Sequence, residues 1–579
     1  MERDLVLGRS RRAPVSLSPR DRSWHVQILG GSGQGKSALL ESLIRQDILA
    51  GRGLCLLDPH GWLADDIIAW CASRKVDSGH ARTVHVINAA DTGWCASFNP
   101  LRLDGVSDPE ARVDAMVDAC AQVWGGEDPN RTPLLRKCLS AVFYVLALRG
   151  LTLVEATELV TSSDIYHVRR RLTENLPSPM WETFWRDSND LKPSDFTQQF
   201  SSTTSRLSLF LKAPIVRRML GQTSRTLDLR GIMDRGEILI VNLAAASGQL
   251  SVDNARLLGT LLISELFLQA LGRDRAMAHN RPFTLYLDEA GEYVTDDVHH
   301  MLEQTRKFGL HVVLAHQNLS QLKLRSEKIY RGIRSGTQTK IIFGGLDDDD
   351  AEEMARHVFR STFNLQRPKH ILDKPVTVDD VPYWLDSESD TTSTSSTSSG
   401  GESTGWSSGT GSSQSATEHF LYDGLIPDYL PHDRNDSAST SASSSDSGSS
   451  SWSSSQTEGA SHARGRSQTL RSVRQTLPTA VHSLDEEIHL AIVKLRTLSQ
   501  QEAVVKRPNR PPVRMRPLDI NPPLGGVVRS PAFIERSRVG SPFIAATADA
   551  EAEIAARLAQ LRQRETHVPS DDEFFSEES

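Results

Sequence analysis

A glycine-rich loop near the amino terminus constrains the fold of this chain more than any other feature. Residues 25–44 read HVQILGGSGQGKSALLESLI: an apolar run, a burst of glycines, and then apolar residues at helical spacing. Gly30, Gly35, Lys36 and Ser37 fit the pattern G-x-x-x-x-G-K-[ST], which belongs between a strand and a helix. The sequence therefore predicts an α/β core built around this strand–loop–helix unit.

The same loop predicts a phosphate-binding site. Backbone N–H groups of such a loop can surround phosphate oxygens at the positive end of the following helix. We expect Lys36 to reach the β- and γ-phosphates of ATP and Ser37 to hold Mg²⁺. A flexible glycine turn is the alternative, and the flanking strand and helix patterns disfavour it. The predicted nucleotide-binding residues are Gly30, Gly31, Ser32, Gly33, Gln34, Gly35, Lys36 and Ser37.

An acidic pair follows a second apolar strand far downstream, in the sequence PFTLYLDEAGEYV. Asp288, at the end of this strand, is in a position to hold Mg²⁺ through its water shell. Glu289 beside it is a candidate base that orients and deprotonates the attacking water, which indicates hydrolysis of the nucleotide. A helix-capping acidic pair is the alternative interpretation.

Two more candidate residues flank a third strand, in the sequence LEQTRKFGLHVVLAHQNLSQL. Gln317 follows the strand, where a polar residue can lie between the two halves of the site and sense the γ-phosphate. Taken alone it would be an ordinary surface residue, so this interpretation depends on the other two motifs. Arg306 precedes the strand at the end of a predicted helix, where a cation can complement the helix dipole. Arg306 could instead be an arginine finger that reaches the γ-phosphate of a neighbouring subunit. The residues alone leave both roles open.

Composition narrows the class of protein. A chain of 579 residues with 38% hydrophobic content can hold two or three domains, with some of it unpacked. The formal net charge of -8 gives no global nucleic-acid signal, although a ring-shaped motor can confine its basic contacts to a pore. Five cysteines without a CxxC pair indicate buried thiols of a cytosolic protein. With no signal peptide and no apolar run of spanning length, we expect a cytoplasmic chain without a transmembrane segment.

Composition also changes along the chain, and these changes predict its domains. The long interval between Lys36 and Asp288 reads largely as helices, which indicates an all-α insertion in the α/β core. A later stretch rich in Ser, Thr and Gly is predicted to be disordered. The predicted segments are residues 1–104 and 229–385 (core), 105–228 (helical insertion), 386–475 (disordered linker), 476–520 (small basic module) and 521–579 (tail with a helix and an acidic tip).

Several motifs in a fixed order resemble the HerA–FtsK superfamily of pumping ATPases. Within it, the chain is most similar to soluble members of the type IV secretion coupling branch, the TraG/TraD-like conjugative DNA transfer proteins. The similarity covers about residues 21–359 and extends to a serine-rich stretch followed by QEAVVKRPNRPPVRMRP. The motifs are ILGGSGQGKSALLESLI, LCLLDPHGWLADDI, SFNPL, LDLRGIMDRGEILIVNL, NARLLGTLLISELFLQAL, LYLDEAGEYV, RKFGLHVVLAHQNLSQL and GTQTKIIFG.

The resemblance implies a RecA-like P-loop ATPase core with a helical insertion, a hexameric ring, and ATP-driven movement of DNA through its pore. It also implies roles for individual positions. These are Lys36 and Ser37 as the Walker A pair, Asp288 and Glu289 as the Walker B pair, Gln317 as the strand-end polar residue, Arg306 as a trans-acting finger and, more weakly, Arg22 as a second arginine contact.

Two departures from the family pattern affect what can be carried over. Membrane-anchored coupling proteins begin with transmembrane helices, and this sequence shows none. The residues after Glu289 are AGEYV, where relatives often carry an aromatic–polar pair. The partner-binding surface that relatives have beside the acidic pair is therefore not carried over to this chain.

Three functions are compatible with these motifs. The first is a hexameric ATPase that translocates single- or double-stranded DNA in conjugative or mobile-element transfer. The second is a type IV secretion ATPase that energises assembly or protein loading without pumping DNA. The third is an ATP-gated scaffold, which Glu289 argues against because a switch needs no water-activating base. Secretion or transfer proteins are the expected partners, through the acidic tail, and could recruit the chain to a membrane.

Overall fold

The computed structural model describes most of the chain, and its structure falls into two compact units. The first unit comprises Met1–Phe363 with Leu484–Ser579, and the second is Asn364–Ser483. The residues described are 4–11, 13–76, 82–103, 108–124, 133–244, 250–294, 296–364, 368–372, 380–397, 408–414, 438–444, 455–472 and 477–563.

An eleven-stranded sheet forms the centre of the first unit, in the order β2-β1-β18-β17-β10-β3-β9-β8-β4-β7-β5. The strands among the described residues are β1 (Leu5–Arg9), β2 (Pro14–Leu17), β3 (Val26–Leu29), β4 (Gly53–Asp58), β5 (Val84–Asn88), β6 (Trp94–Ala96), β7 (Ile238–Asn242), β8 (Phe283–Leu287), β9 (Leu310–His316), β10 (Thr339–Phe343), β11 (Pro368–Leu372), β12 (Asp380–Thr397), β13 (Ser408–Gln414), β14 (Ala438–Ser444), β15 (Ser455–Ser472), β16 (Leu477–Val481), β17 (Ala503–Lys506), β18 (Val513–Pro517) and β19 (Ile544–Ala546).

The strands from β10 to β5 in this order are parallel to one another. Strands β3, β4, β7, β8 and β9 are buried along their whole length. Parallel sheets are covered on both faces, which explains why these strands read as nearly continuous apolar runs. The predicted RecA-like α/β core is confirmed.

Helices cover the sheet and fill the interval between β6 and β7. Their bounds are α1 (Pro19–Ser23), α2 (Lys36–Leu49), α3 (Trp62–Arg74), α4 (Pro109–Trp124), α5 (Pro133–Leu148), α6 (Ala156–Val160), α7 (Val168–Thr173), α8 (Pro179–Asn189), α9 (Pro193–Leu211), α10 (Pro214–Leu220), α11 (Leu229–Arg235), α12 (Val252–Leu271), α13 (Arg275–Asn280), α14 (Asp296–Gln304), α15 (Ser320–Arg325), α16 (Glu327–Gly336), α17 (Asp348–Val358), α18 (Leu484–Arg496), α19 (Gly526–Val539) and α20 (Thr547–Gln563).

Helices α4 to α10 occupy the segment predicted to be an all-α insertion. Aromatic rings from α8 and α9 stack in its interior: Phe200 lies 4.6 Å from Phe196 and 5.6 Å from Trp185, measured between ring centroids. Such contacts add to the stabilisation that burial of the rings provides. The five cysteines are buried free thiols, as their spacing predicted.

The segment after the serine-rich stretch joins the core sheet. Strand β17 pairs with β10, and β18 pairs with both β17 and β1, all antiparallel. Strands β17 and β18 therefore extend the eleven-stranded sheet and do not form the separate small module that the composition of residues 476–520 predicts. Within the described residues, none of the helices combines the length and apolarity that a membrane-spanning segment needs.

The described strands of the second unit are paired with one another. β11 pairs with β16, β12 with β15, and β13 with β14, each as a two-stranded antiparallel sheet. The serine-rich residues 386–475 fall in this unit. Since the rest of that stretch lies outside the described residues, its predicted disorder stays a prediction. The acidic tip, residues 570–579, also lies outside the described residues.

The last helix, α20, packs on the helical insertion through a buried ion pair. Arg557 donates to Glu155 Oε1 from Nε at 3.0 Å and from Nη2 at 2.9 Å. Glu155 is fully buried, and its other oxygen accepts from the Thr152 backbone N–H at 2.8 Å. The tail helix is thereby fixed to the insertion.

We expect Arg557→Ala to destabilise the protein by about 3 kcal/mol, because it leaves the Glu155 carboxylate buried without its cation. The control is Arg562→Ala, which breaks the partly exposed pair with Glu158 (2.6 Å) and should cost less than about 1 kcal/mol. Urea unfolding of both variants measures the difference. Equal stability of the two variants would contradict this assignment.

Candidate functional site

The glycine loop leaves the carboxyl end of β3 and runs into α2. Gly33 and Gly35 have φ angles of 73° and 110°, in the region that favours glycine. Gly30 and Gly31 pack against the turn that follows β10, and a Cβ at Gly30 would lie 2.5 Å from the Phe343 Cβ. The loop shape therefore depends on glycine at all four positions. It delivers backbone N–H groups to the start of α2, where an anion is stabilised.

Lys36 lies inside the loop that it terminates. Its ammonium donates to the carbonyl oxygens of Gly30 at 2.7 Å and Gly31 at 3.0 Å, and the residue is 6% exposed. Burial lowers the pKa of Lys36, and the nearby Glu289 and Asp288 carboxylates oppose that shift. The structure thus places the predicted phosphate-binding cation next to both predicted acids.

Ser37 and Asp288 also meet, although they are far apart in sequence. The Ser37 hydroxyl donates to Asp288 Oδ2 at 3.3 Å. Burial raises the pKa of Asp288 to about 6, and the negative charges of Asp58 and Glu289 contribute to the rise. Crowded acids beside a hydroxyl are a fit for Mg²⁺, which prefers oxygen ligands and would relieve this repulsion. Ser37 and Asp288 are therefore the residues that would hold the ion.

Glu289 and Gln317 lie at the carboxyl ends of the neighbouring strands β8 and β9. The Gln317 amide donates to Glu289 Oε1 at 2.9 Å. Glu289 has a φ of 46°, an uncommon conformation for this residue that costs about 1 kcal/mol or more. Backbone strain of this kind clusters at functional sites, and here it aims the carboxylate at Gln317.

Asp58, at the carboxyl end of β4, is a residue of this edge that the sequence analysis missed. It is 1% exposed and accepts from the backbone N–H groups of His60 and Ala64, each at 2.9 Å. The sequence did contain a signal for Asp58: an acid directly after the apolar run LCLL repeats the pattern that identified Asp288. Its charge contributes to the raised pKa of Asp288.

A second missed contact comes from the carboxyl-terminal part of the chain. The Gln500 side chain donates to the Gly33 carbonyl at 2.9 Å, and the Gln501 backbone N–H donates to the Gln34 carbonyl at 3.1 Å. The segment that precedes β17 therefore braces the outer side of the glycine loop.

Arg306 lies away from the site of its own chain. It precedes β9, so it is at the amino edge of the parallel strands, whereas Lys36 and Gln317 are at the carboxyl edge. The seven residues of β9 separate these edges by roughly 20 Å at about 3.3 Å per residue. The exposed Arg306 guanidinium lies over the Trp24 ring, 3.5 Å from its centroid.

Arg22 differs from its expected role as a second arginine contact. It is 3% exposed, forms an ion pair with Asp47 at 2.6 Å and donates to Thr284 Oγ1 at 2.9 Å. Tyr286 donates to the same Asp47 oxygen at 2.6 Å. These contacts fix α2 against the sheet, so Arg22 is a structural residue inside its own subunit.

Comparisons with known proteins identify a family match for part of the sequence. Residues 282–370 match the family model described as the TraM recognition site of TraD and TraG. This region contains the acidic pair, Arg306 and Gln317. No curated protein matches the chain significantly.

A solved structure shares the fold. The plasmid coupling protein TrwB in complex with the non-hydrolysable ATP analogue ADPNP has a TM-score of 0.51 at 14% identity, with 90% of this chain and 91% of that chain covered. The unbound monoclinic form of the bacterial conjugative coupling protein TrwBdeltaN70 has a TM-score of 0.47 at 13% identity, with 89% of each chain covered.

The matched family segment carries half of the candidate site, and the fold of the described core is that of the nucleotide-bound coupling protein. The resemblance to TraG/TraD-like proteins drawn from the sequence motifs is confirmed over residues 282–370, and the described core has the RecA-like α/β fold.

Proposed function

We propose that this chain is an ATP-hydrolysing, hexameric DNA translocase that acts in conjugative or mobile-element DNA transfer. The observation that supports hydrolysis most directly is the hydrogen bond between Gln317 and Glu289 at the strand edge that also holds Lys36 and Asp288. A fixed carboxylate beside a phosphate-binding loop is the arrangement that activates a water molecule.

Each residue has one task in this proposal. The Lys36 ammonium exchanges the Gly30 and Gly31 carbonyls for phosphate oxygens, a charge-assisted interaction that is stronger than the bonds it replaces. Glu289 uses one oxygen to accept from Gln317 and the other to take a proton from the attacking water. Gln317 keeps that carboxylate oriented and can donate its second amide proton to the γ-phosphate.

Mg²⁺ fits between Ser37 and Asp288, which supply the oxygen ligands described above. When bound, it neutralises charge on the β- and γ-phosphates. Asp288 contributes its carboxylate, and the Ser37 hydroxyl, which donates its proton to Asp288, keeps its lone pairs available to the cation.

Glu289→Gln should keep ATP affinity but lower turnover at least about a hundredfold, because the amide cannot accept the proton from water. The matched control is Glu292→Gln, in the same short turn, whose carboxylate pairs with Arg256 at 2.6 Å and should be dispensable for hydrolysis. Phosphate release and equilibrium ATP binding are measured on both. Unchanged turnover in Glu289→Gln would contradict the proposed role.

Lys36→Ala should lose nucleotide binding altogether, which the same equilibrium binding assay measures.

A ring explains the position of Arg306. Since about 20 Å of sheet separates it from the site of its own chain, Arg306 can act only on a nucleotide held by a neighbour. Trp24 holds the guanidinium at the surface by a cation–π contact of 3.5 Å. We infer that the amino edge of one sheet faces the carboxyl edge of the next subunit's sheet.

Arg306→Ala should fold and bind ATP normally, yet lose turnover on the order of a thousandfold if finger chemistry dominates. Lys307→Ala, on the same turn, is the control and should remain active. Mixing Arg306→Ala subunits with Glu289→Gln subunits should restore some turnover, because an intact site then meets an intact finger. If subunits exchange and nothing is restored, Arg306 is only a helix-end charge, and Arg331 and Arg334 are the next candidates.

A secretion ATPase that energises assembly or protein loading without pumping DNA is the second candidate function. The observation in its favour is that residues 282–370 match a segment described as recognising a protein, TraM. Protein recognition and DNA movement are compatible in one chain, so we propose transfer-machinery proteins as partners in either case.

A further inference from the structure

A chain of buried polar side chains crosses three strands beneath the glycine loop. The Lys340 ammonium on β10 lies 2.7 Å from Gln27 Oε1 on β3, and Gln27 Nε2 lies 2.8 Å from His316 Nε2 on β9. His316 Nδ1 lies 3.0 Å from the backbone carbonyl oxygen of Asn318. The first three residues are at most 2% exposed. We call Lys340, Gln27, His316 and Asn318 the Lys340 chain.

The chemistry of these groups determines which atom donates and which accepts in each hydrogen bond of the Lys340 chain. An ammonium can only donate, so the Gln27 oxygen must face Lys340 and the Gln27 amide N–H must point at His316. A carbonyl can only accept, so His316 must carry its proton on Nδ1 and use Nε2 as the acceptor. A neutral imidazole satisfies both conditions, and burial lowers the pKa of His316 to about 4.

Lys340 also holds the end of a surface helix. Besides Gln27, its ammonium donates to the Arg334 carbonyl at 3.0 Å and to Thr337 Oγ1 at 2.7 Å. Thr337 gives its own proton to the Ile333 carbonyl at 2.6 Å, so it is an acceptor for Lys340. Three acceptors therefore match the three N–H groups of the ammonium, although burial and the charge of Arg334 lower the pKa of Lys340 to about 7.

The other end of the chain lies one residue from the site. Between His316 and Asn318 stands Gln317, whose amide donates to Glu289 at 2.9 Å. The His316 bond to the Asn318 carbonyl spans Gln317 and closes the turn that follows β9. A turn held in this way fixes the direction in which Gln317 leaves the sheet.

We propose that Lys340 is a positioning residue for Gln317, acting through Gln27 and His316, and that it connects the carboxyl end of α16 to the orientation of Glu289. This inference rests on the proposed hydrolysis of ATP. Lys340 is 1% exposed; its bond to Gln27 Oε1 fixes how Gln27 is turned and, through His316, where Gln317 points.

Gln27→Met tests the proposal, because it keeps the side-chain length and removes both relay bonds. We expect kcat for ATP to fall on the order of tenfold to a hundredfold, the scale of a misplacement near 1 Å, while KM stays within about twofold. Thr339→Val is the matched control: it removes a buried hydrogen bond on the same strand, from Thr339 Oγ1 to the Asp21 carbonyl at 3.3 Å, that lies outside the relay, and it should leave kcat within about twofold of the parent protein.

Gln27→Met also leaves a buried ammonium short of an acceptor and so loses stability. The double variant Gln27→Met with Lys340→Met removes that charge and should recover the unfolding midpoint, yet its kcat should remain low. Recovery of kcat along with stability would mean that the Lys340 chain is structural only, and it would overturn the proposal. An unchanged kcat in Gln27→Met would do the same.

A crystal structure of the double variant separates this inference from the proposed function. If the parent protein does not hydrolyse ATP, the proposed function fails, but the structure still reports on the turn. We expect the Gln317–Glu289 hydrogen bond of 2.9 Å to be broken. An unchanged bond in the double variant would overturn the positioning role whatever the outcome of the turnover assay.

Discussion

The parallel pairing of β3 with β9, and of β9 with β8, is the constraint on which the whole site depends. Parallel strands end at the same edge, so the glycine loop after β3, Gln317 after β9 and the acidic pair after β8 are brought together across about 250 residues of sequence. The same pairing sends Arg306 to the opposite edge. One feature of the sheet thus explains both why the candidate site residues meet at one edge and why Arg306 lies roughly 20 Å from them.

Three sets of contacts brace this edge from outside the strands. Arg22 and Asp47 fix α2 to the sheet, so the start of that helix stays at the loop. The segment before β17 hydrogen-bonds to the glycine loop, and the Lys340 chain runs beneath it to the turn that carries Gln317. Each set links the site to a different part of the molecule, so distant segments are connected to the geometry of the site.

Much of the core and site could be predicted from the sequence because the residues concerned have strong local requirements. The glycine loop needs positive φ angles and close approach, and an acid directly after a buried strand is easily recognised. Other features depend on contacts far apart in sequence. Arg22 could not be assigned because burial beside Asp47 has no local signature, and residues 476–520 read as a basic module because their pairing with β10 and β1 is visible only in three dimensions.

ATP turnover with and without DNA tests the central claim that hydrolysis at this site drives DNA movement. We predict that single- or double-stranded DNA raises kcat several-fold, and that the stimulation weakens as salt increases, because contacts to phosphates release counterions. Glu289→Gln should abolish the stimulated rate as well as the basal one. Turnover that is the same with no DNA, single-stranded DNA and double-stranded DNA at low salt would contradict the account and favour a secretion ATPase that does not pump DNA.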